Sequence, residues 1–318
     1  MTSGPSVVAL GGGHGLAASL QALRRVTDRL TAVVTVADDG GSSGRLRDEF
    51  DCLPPGDLRM ALAALCGDDE WGQLWSRLAQ HRFSSGGELD GHAVGNLLIV
   101  GLWQLLGDPV AALDQVGRLL GAQGRVLPMS REPVGIAAAV VFDGEPAPQI
   151  VRGQVAVATT PGRVVELLLE PPTPVACEEA VRAIEAADWV VLGPGSWFTS
   201  VLPNLMVPGL RDALVSTDAH RMVVLNLAPQ PGETEGFSPG QHLDALAAHA
   251  PTLAIDVVLA DPRAVPDVAA LAAVTAGLGA KLVLEPVARA DDPLRHDPVA
   301  LAGACARLLD RGRIGAWR

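Results

Sequence analysis

Val7-Val8-Ala9-Leu10-Gly11-Gly12-Gly13-His14-Gly15-Leu16 decides the fold, together with Val33-Val34-Thr35-Val36-Ala37-Asp38-Asp39-Gly40-Gly41-Ser42-Ser43-Gly44-Arg45 further on. Each opens on a short apolar, β-branched run that ends in glycine, the pattern of a strand buried on both faces in a parallel sheet. Between them, Leu16, Leu20, Leu23 and Val26 recur at helical spacing. The unit reads strand, glycine turn, helix, strand, acidic glycine turn. Such a unit offers main-chain N–H groups to a phosphate at a helix start, and a carboxylate to a ribose. The fold class is therefore α/β, with a doubly wound, mostly parallel sheet of Rossmann-like type.

Working outward, residues 37–60 read as a long loop, with Pro54 and Pro55 barring helix and Asp57 capping a helix from Leu58 to Cys66. Residues 70–121 read as helices, including Val94 to Leu106 and Pro109 to Leu120. Between 125 and 169 the pattern predicts strands at Val126-Leu127, Ile136 to Phe142, Gln154 to Ala158 and Val164 to Leu169. A second α/β stretch then carries strands at Trp189 to Leu192, Met222 to Leu225, Ile255 to Leu259 and Lys281 to Leu284, with helices between and after them. No repeat and no linker is evident, so residues 1–318 are expected to form a single domain with a helical insertion near 60–121.

Composition narrows the chemistry. The 48% hydrophobic content supplies a core, and the formal charge of −12 argues against nucleic-acid binding. No apolar run reaches about 18 residues unbroken, so no membrane span is expected. With no signal peptide evident, a cytoplasmic location is expected. Lys281 is the only lysine, which excludes a Walker-type phosphate loop, and the absence of tyrosine closes mechanisms that use a phenol acid. The four scattered cysteines form no CxxC pair and read as reduced thiols.

The candidate ligand groups sit at strand ends. Gly12, Gly13, His14 and Gly15 form the first turn, with Leu16 where the dinucleotide fingerprint has its third glycine. Asp38 and Asp39 end the next strand and suit a ribose or a magnesium ion bridging to phosphate. Gly41, Ser42 and Ser43 follow, and Arg45 and Arg59 bring positive charge to an acidic chain. His92 and Asn96 open an apolar helix beside Gly91 and Gly95. Gly193, Gly195, Ser196, Thr199 and Asn204 belong to a third glycine turn, a second anion-binding candidate. Asn226, Gln230, Glu233 and Thr234 follow yet another strand. Four strand ends decorated in this way point to one shared crevice.

As a set, GGGHGL, TVADDGGSSGRLR, PPGDLR, GHAVGNL, GPGSWFTSVLPNL and NLAPQPGETEGF resemble the bacterial gluconeogenesis-factor (YvcK-like) family, over roughly residues 5–240. That family is related to the 2-phospho-L-lactate transferases of deazaflavin cofactor synthesis. The resemblance implies a three-layer Rossmann-like fold, a cytoplasmic protein, and a role in cell shape and cell-wall precursor balance during gluconeogenic growth. It implies binding of UDP-sugars, notably UDP-N-acetylglucosamine, with no established reaction. In the transferases the region matching Pro55-Gly56-Asp57 lies at the acceptor site and magnesium assists, so Asp57 is the catalytic candidate if the chain is an enzyme. Two departures stand out. His14 replaces the family's usual threonine and removes a hydroxyl, and Trp197-Phe198 replaces Leu-Tyr and removes a phenol.

The leading expectation is a UDP-sugar-binding regulatory protein, self-associating into a homo-oligomer, with a protein partner that the sequence does not identify. The alternative is a magnesium-dependent transferase that moves a phosphate-linked group from a nucleotide, with Asp57 and magnesium near Asp38 and Asp39. An NAD-linked dehydrogenase is disfavoured by the missing third glycine and the missing tyrosine.

Overall fold

The computed structural model describes residues 4–145, 147–230 and 232–313. In chain order the strands are β1 (Val7–Gly11), β2 (Leu30–Val34), β3 (Arg125–Pro128), β4 (Gly135–Val141), β5 (Gln149–Arg152), β6 (Arg163–Glu170), β7 (Trp189–Leu192), β8 (His220–Val224), β9 (Val257–Ala260) and β10 (Lys281–Leu284). The first seven helices are α1 (Gly13–Leu23), α2 (Gly41–Phe50), α3 (Pro55–Ala64), α4 (Glu70–Gln80), α5 (Val94–Leu106), α6 (Pro109–Leu120) and α7 (Gln154–Ala158). Then come α8 (Glu178–Glu185), α9 (Leu202–Met206), α10 (Pro208–Ser216), α11 (Pro239–His249), α12 (Val268–Gly277) and α13 (Pro298–Arg313).

Seven strands form one parallel sheet in the order β10-β9-β8-β7-β1-β2-β3. The chain winds outward from β1 through β2 to β3, then returns to the other side of β1 and winds outward again from β7. Right-handed crossovers put the connecting helices of the two halves on opposite faces. Accordingly α1 packs on α3 and α13, while α8 packs on α10 and α11 on α12. The result is the Rossmann-like α/β architecture, with helices on both faces of the sheet. Strand order reverses between β1 and β7, and ligands bind such sheets at the reversal, outside the carboxyl ends of the strands. Leu10, Leu16, Leu20, Leu23, Leu58, Leu62 and Trp189 are fully buried around this centre.

A second sheet, β5-β4-β6, is antiparallel and lies outside the parallel one. Its connection corrects one expectation. Gln154 to Ala158, whose alternation reads as a strand, is the short helix α7, because the Asp39 carboxylate caps its first turn. Residues 37–60 are likewise not a loop. Helix α2 occupies Gly41–Phe50, and α3 starts at Pro55, where a proline costs no hydrogen bond. Asp57 therefore stands in the first turn of α3 and is not its cap. The candidates Ser42 and Ser43, with Gly44, are buried in the start of α2. Among the described residues no helix is long and apolar enough to cross a membrane.

Candidate functional site

At the reversal point the turns after β1 and β7 meet. Gly13 has φ +58, a left-handed conformation that strains other residues, and α1 begins there. A Cβ on Gly15 would collide with the Pro194 carbonyl and the Gly195 Cα, so the start of α1 packs against the third glycine turn backbone to backbone. Asn226, just past β8, fixes that turn. Its Oδ1 accepts the Gly195 N–H at 2.9 Å and its Nδ2 donates to the Gly195 carbonyl at 2.8 Å. Gly193 lies in the left-handed region, and its carbonyl accepts Ser19 Oγ at 3.0 Å.

An acidic pair lies on the same first turn. Asp57 Oδ2 is 2.5 Å from where a Cβ on Gly12 would stand, and Asp38 Oδ2 is 2.6 Å from the equivalent point on Gly56, which also touches Ser43. Burial, and then the neighbouring charge of Asp38, raise the Asp57 pKa from 3.8 to about 7, although the Gly13 backbone hydrogen bond and Arg59 act the other way. Asp57 is thus poised between neutral acid and carboxylate near neutral pH. Arg59 is buried beside the pair, and its Nε has no protein partner.

The structure parts Asp38 from Asp39. Asp38 Oδ1 accepts the Gly40 N–H at 3.0 Å within its own turn. Both oxygens of Asp39 accept the first amides of α7, from Gln154 at 2.9 Å and Val155 at 3.0 Å. The aspartate whose charge acts on Asp57 is Asp38. Magnesium is commonly held by one or two carboxylates plus substrate phosphates, so this pair suits it and Asp39 does not. Among the described residues no group of three or more His, Cys, Asp or Glu could hold a metal by itself.

Several other candidates serve as braces. Ser42 Oγ lies 3.0 Å from His92 Nδ1 and accepts Asn96 Nδ2 at 2.9 Å, all three residues being buried. Arg45 donates to the carbonyls of Asp90 at 2.6 Å and Glu88 at 3.3 Å, and Gly41 is the exposed first residue of α2. Asn204 is wholly buried, its Nδ2 donating to Thr35 Oγ1 and the Ser200 carbonyl, each at 2.9 Å. Glu233 accepts from Ser196 Oγ, from Thr199 Oγ1 at 2.7 Å and from the Phe198 N–H at 3.3 Å, tying the later loop to the third turn. Thr234 Oγ1 accepts the Gln230 N–H at 2.9 Å.

A cleft of about 560 Å³ opens beside these turns, within the size range of small-molecule sites. His14, Gly15, Gly195, Asn226 and Gln230 line it, but Asp38, Asp57 and Thr199 do not. The expected single crevice is thus two adjoining places, a cleft and an acidic pair, which share the first glycine turn. Sequence reasoning missed three of its lining residues, Arg289, Arg295 and His296, from the segment between β10 and α13. Burial lowers the His296 pKa to about 4, so the ring is neutral. The signal was available in Arg289-Ala290-Asp291-Asp292-Pro293-Leu294-Arg295-His296, a polar segment that again follows an apolar strand.

Residues 7–281 match the family described as 2-phospho-L-lactate transferase CofD. The chain belongs to the CofD family. Within its wider kin, a Mycobacterium tuberculosis protein described provisionally as a gluconeogenesis factor is 54% identical over 316 residues, covering 96% of this chain and 92% of its own. The gluconeogenesis factor of Bacillus subtilis is 36% identical over 263 residues, covering 83% and 80% respectively. A crystal structure of a UPF0052-family protein from Bacillus halodurans superposes with a TM-score of 0.85 at 33% identity, covering 96% of this chain and 99% of that one. The resemblance in the sequence motifs and the Rossmann-like fold agree with this CofD membership.

Proposed function

We propose that the cleft binds a nucleoside-diphosphate sugar, UDP-N-acetylglucosamine, and that the protein acts in the cytoplasm as a regulator of cell shape and of the balance between carbon supply and cell-wall precursors during gluconeogenic growth. The observation that carries this reading is the backbone-to-backbone meeting of the Gly13–Gly15 and Gly193–Gly195 turns at the sheet's reversal point. There the start of α1 points main-chain amides toward a diphosphate, the Gly13 amide being bonded to Asp57. Arg289 and Arg295 line the same cleft, each ion-paired to a neighbouring aspartate, Asp291 and Asp292 respectively. Charge-assisted hydrogen bonds of about 1.5–3 kcal/mol each make the roughly 8 kcal/mol of a micromolar complex attainable from three or four contacts plus backbone donors. The names of the gluconeogenesis-factor relatives support the physiological part. Isothermal titration with UDP-N-acetylglucosamine tests the binding, and no heat at millimolar ligand would remove it.

A second reading is favoured by Asp57, whose raised pKa suits an acid–base group. Here the protein transfers a phosphate-linked group from a nucleotide to an acceptor hydroxyl. Asp57 takes the hydroxyl proton, while Asp38 is the side chain that would hold magnesium, whose charge would offset that of the phosphates. Release of UMP or GMP from a nucleotide donor in the presence of magnesium and an acceptor separates turnover from binding alone.

A further inference from the structure

Helix α4 turns its apolar side away from the core. A surface helix ordinarily sets its large apolar residues inward, but the residues that α4 buries are Gly72 and Ala79. A Cβ on Gly72 would stand 2.3 Å from the Gly67 carbonyl oxygen, so the inner side packs main chain to main chain. Trp71, Leu74 and Leu78 recur at three- and four-residue spacing on one stripe and are 55%, 51% and 39% exposed. Leu105 and Leu119, on the neighbouring helices α5 and α6, are exposed as well. A lone exposed leucine is ordinary, whereas an apolar stripe with apolar neighbours marks an interaction surface. We propose that this face is the seam of a two-fold dimer, in which α4 packs antiparallel against α4 of a second copy of the chain.

The occupant is argued from two charges beside the stripe. Glu70 and Arg77 are exposed and seven residues apart, which puts them on the same flank of the helix. That spacing is beyond the three or four residues at which side chains of one helix pair. Among the described residues neither is held by an ion pair or a side-chain hydrogen bond. Setting Leu74 beside its own copy at the two-fold axis places Trp71 against Leu78, and Glu70 against Arg77, of the second copy. With the helical rise, each of these partners lies within about 1.5 Å of the same height along the seam. The rotation keeps each flank on its own side, so the opposite-charge pair forms twice, once at either end. The second copy thus supplies an apolar partner for every residue of the stripe and a counter-charge for both free charges, the pairing that fixes register between helices.

Sedimentation equilibrium on the full chain tests the seam. The wild type is expected to be dimeric. Leu74→Asp brings two carboxylates together at the axis and is expected to give folded monomers, since Leu74 is half exposed. Glu70→Arg and Arg77→Glu, each alone, set like charges against each other twice and are expected to raise the dimer dissociation constant about tenfold. An equimolar mixture of these two variants restores both attractive pairs and is expected to recover the wild-type constant. Should a reversal unfold the chain, as circular dichroism would reveal, Glu70→Gln and Arg77→Gln are gentler, each raising the constant about fivefold through the two lost pairs. A monomeric wild type overturns the proposal. So do a folded Leu74→Asp variant that stays dimeric, a mixture that associates no better than its components, or charge variants with an unchanged constant.

Discussion

The Asp57 carboxylate occupies the space where a side chain on Gly12 would begin, with Oδ2 2.5 Å from that point and Ser200 Oγ 3.1 Å from it. Gly12 itself has an extended backbone that any residue adopts, so its requirement for glycine is steric. Gly12→Ala is therefore expected to fold and to displace Asp57. Under the binding reading, its affinity for UDP-N-acetylglucosamine falls about tenfold, or roughly 1.4 kcal/mol. Gly15→Ala meets main chain, which cannot swing aside, and is expected to lose about 1–3 kcal/mol of stability as well. Titration calorimetry and urea melts on the two variants separate these effects.

The raised pKa of Asp57 gives stability a definite pH slope. Between about 4 and 7 the folded protein holds a proton on Asp57 that the unfolded chain, at 3.8, has released. The contribution is therefore fully present below 3.8 and is lost as pH rises through about 7. Asp57→Asn removes this component, so urea melts from pH 5 to 8 should show the variant gaining on the wild type as pH increases. Function separates by sign. An ionised Asp57, set against the first glycine turn, repels a diphosphate held at that turn, so binding should weaken as pH rises through about 7. A transferase that needs the ionised base should quicken over the same interval.

The parallel sheet was legible because β1, β2 and β7 are short apolar runs followed by glycine-bearing turns, and burial on both faces leaves that pattern little freedom. The acidic pair was legible only in part. Asp38 and Asp57 were both found, but Asp39 looked equivalent to Asp38 because adjacency in sequence says nothing about which way each carboxylate turns. Its capping role depends on α7, more than a hundred residues away, and α7 was itself misread because Val155 and Val157 alternate like a strand. The lining residues Arg289, Arg295 and His296 escaped notice because they reach the cleft only through the return of the chain from β10 to α13.

Asp39 yields a prediction of its own. Its carboxylate caps α7, and loss of such a cap costs about 0.5–2 kcal/mol. Asp39→Ala should lower stability by that amount and speed hydrogen exchange across residues 154–158, with the Asp38 and Asp57 pair left in place. Asp39→Asn keeps one accepting oxygen and should recover most of the loss. If Asp39→Ala instead abolishes ligand binding with no change in exchange at α7, the capping role is not its main one.

Ser42, His92 and Asn96 test whether a motif residue can be essential without touching ligand. The Ser42 hydroxyl faces His92 Nδ1 and accepts from Asn96 Nδ2 at the junction of α2 and α5, and Asn96 Oδ1 already lacks a protein partner. Burial, and then the charge of Arg45, lower the His92 pKa, so the ring is neutral at pH 7. Ser42→Ala leaves two buried polar groups without their shared partner and should cost about 1–3 kcal/mol. Because none of the three lines the cleft, affinity measured at a temperature where the variant is fully folded should match the wild type. A variant as stable as the wild type but unable to bind would move Ser42 from the frame of the site to its contact surface.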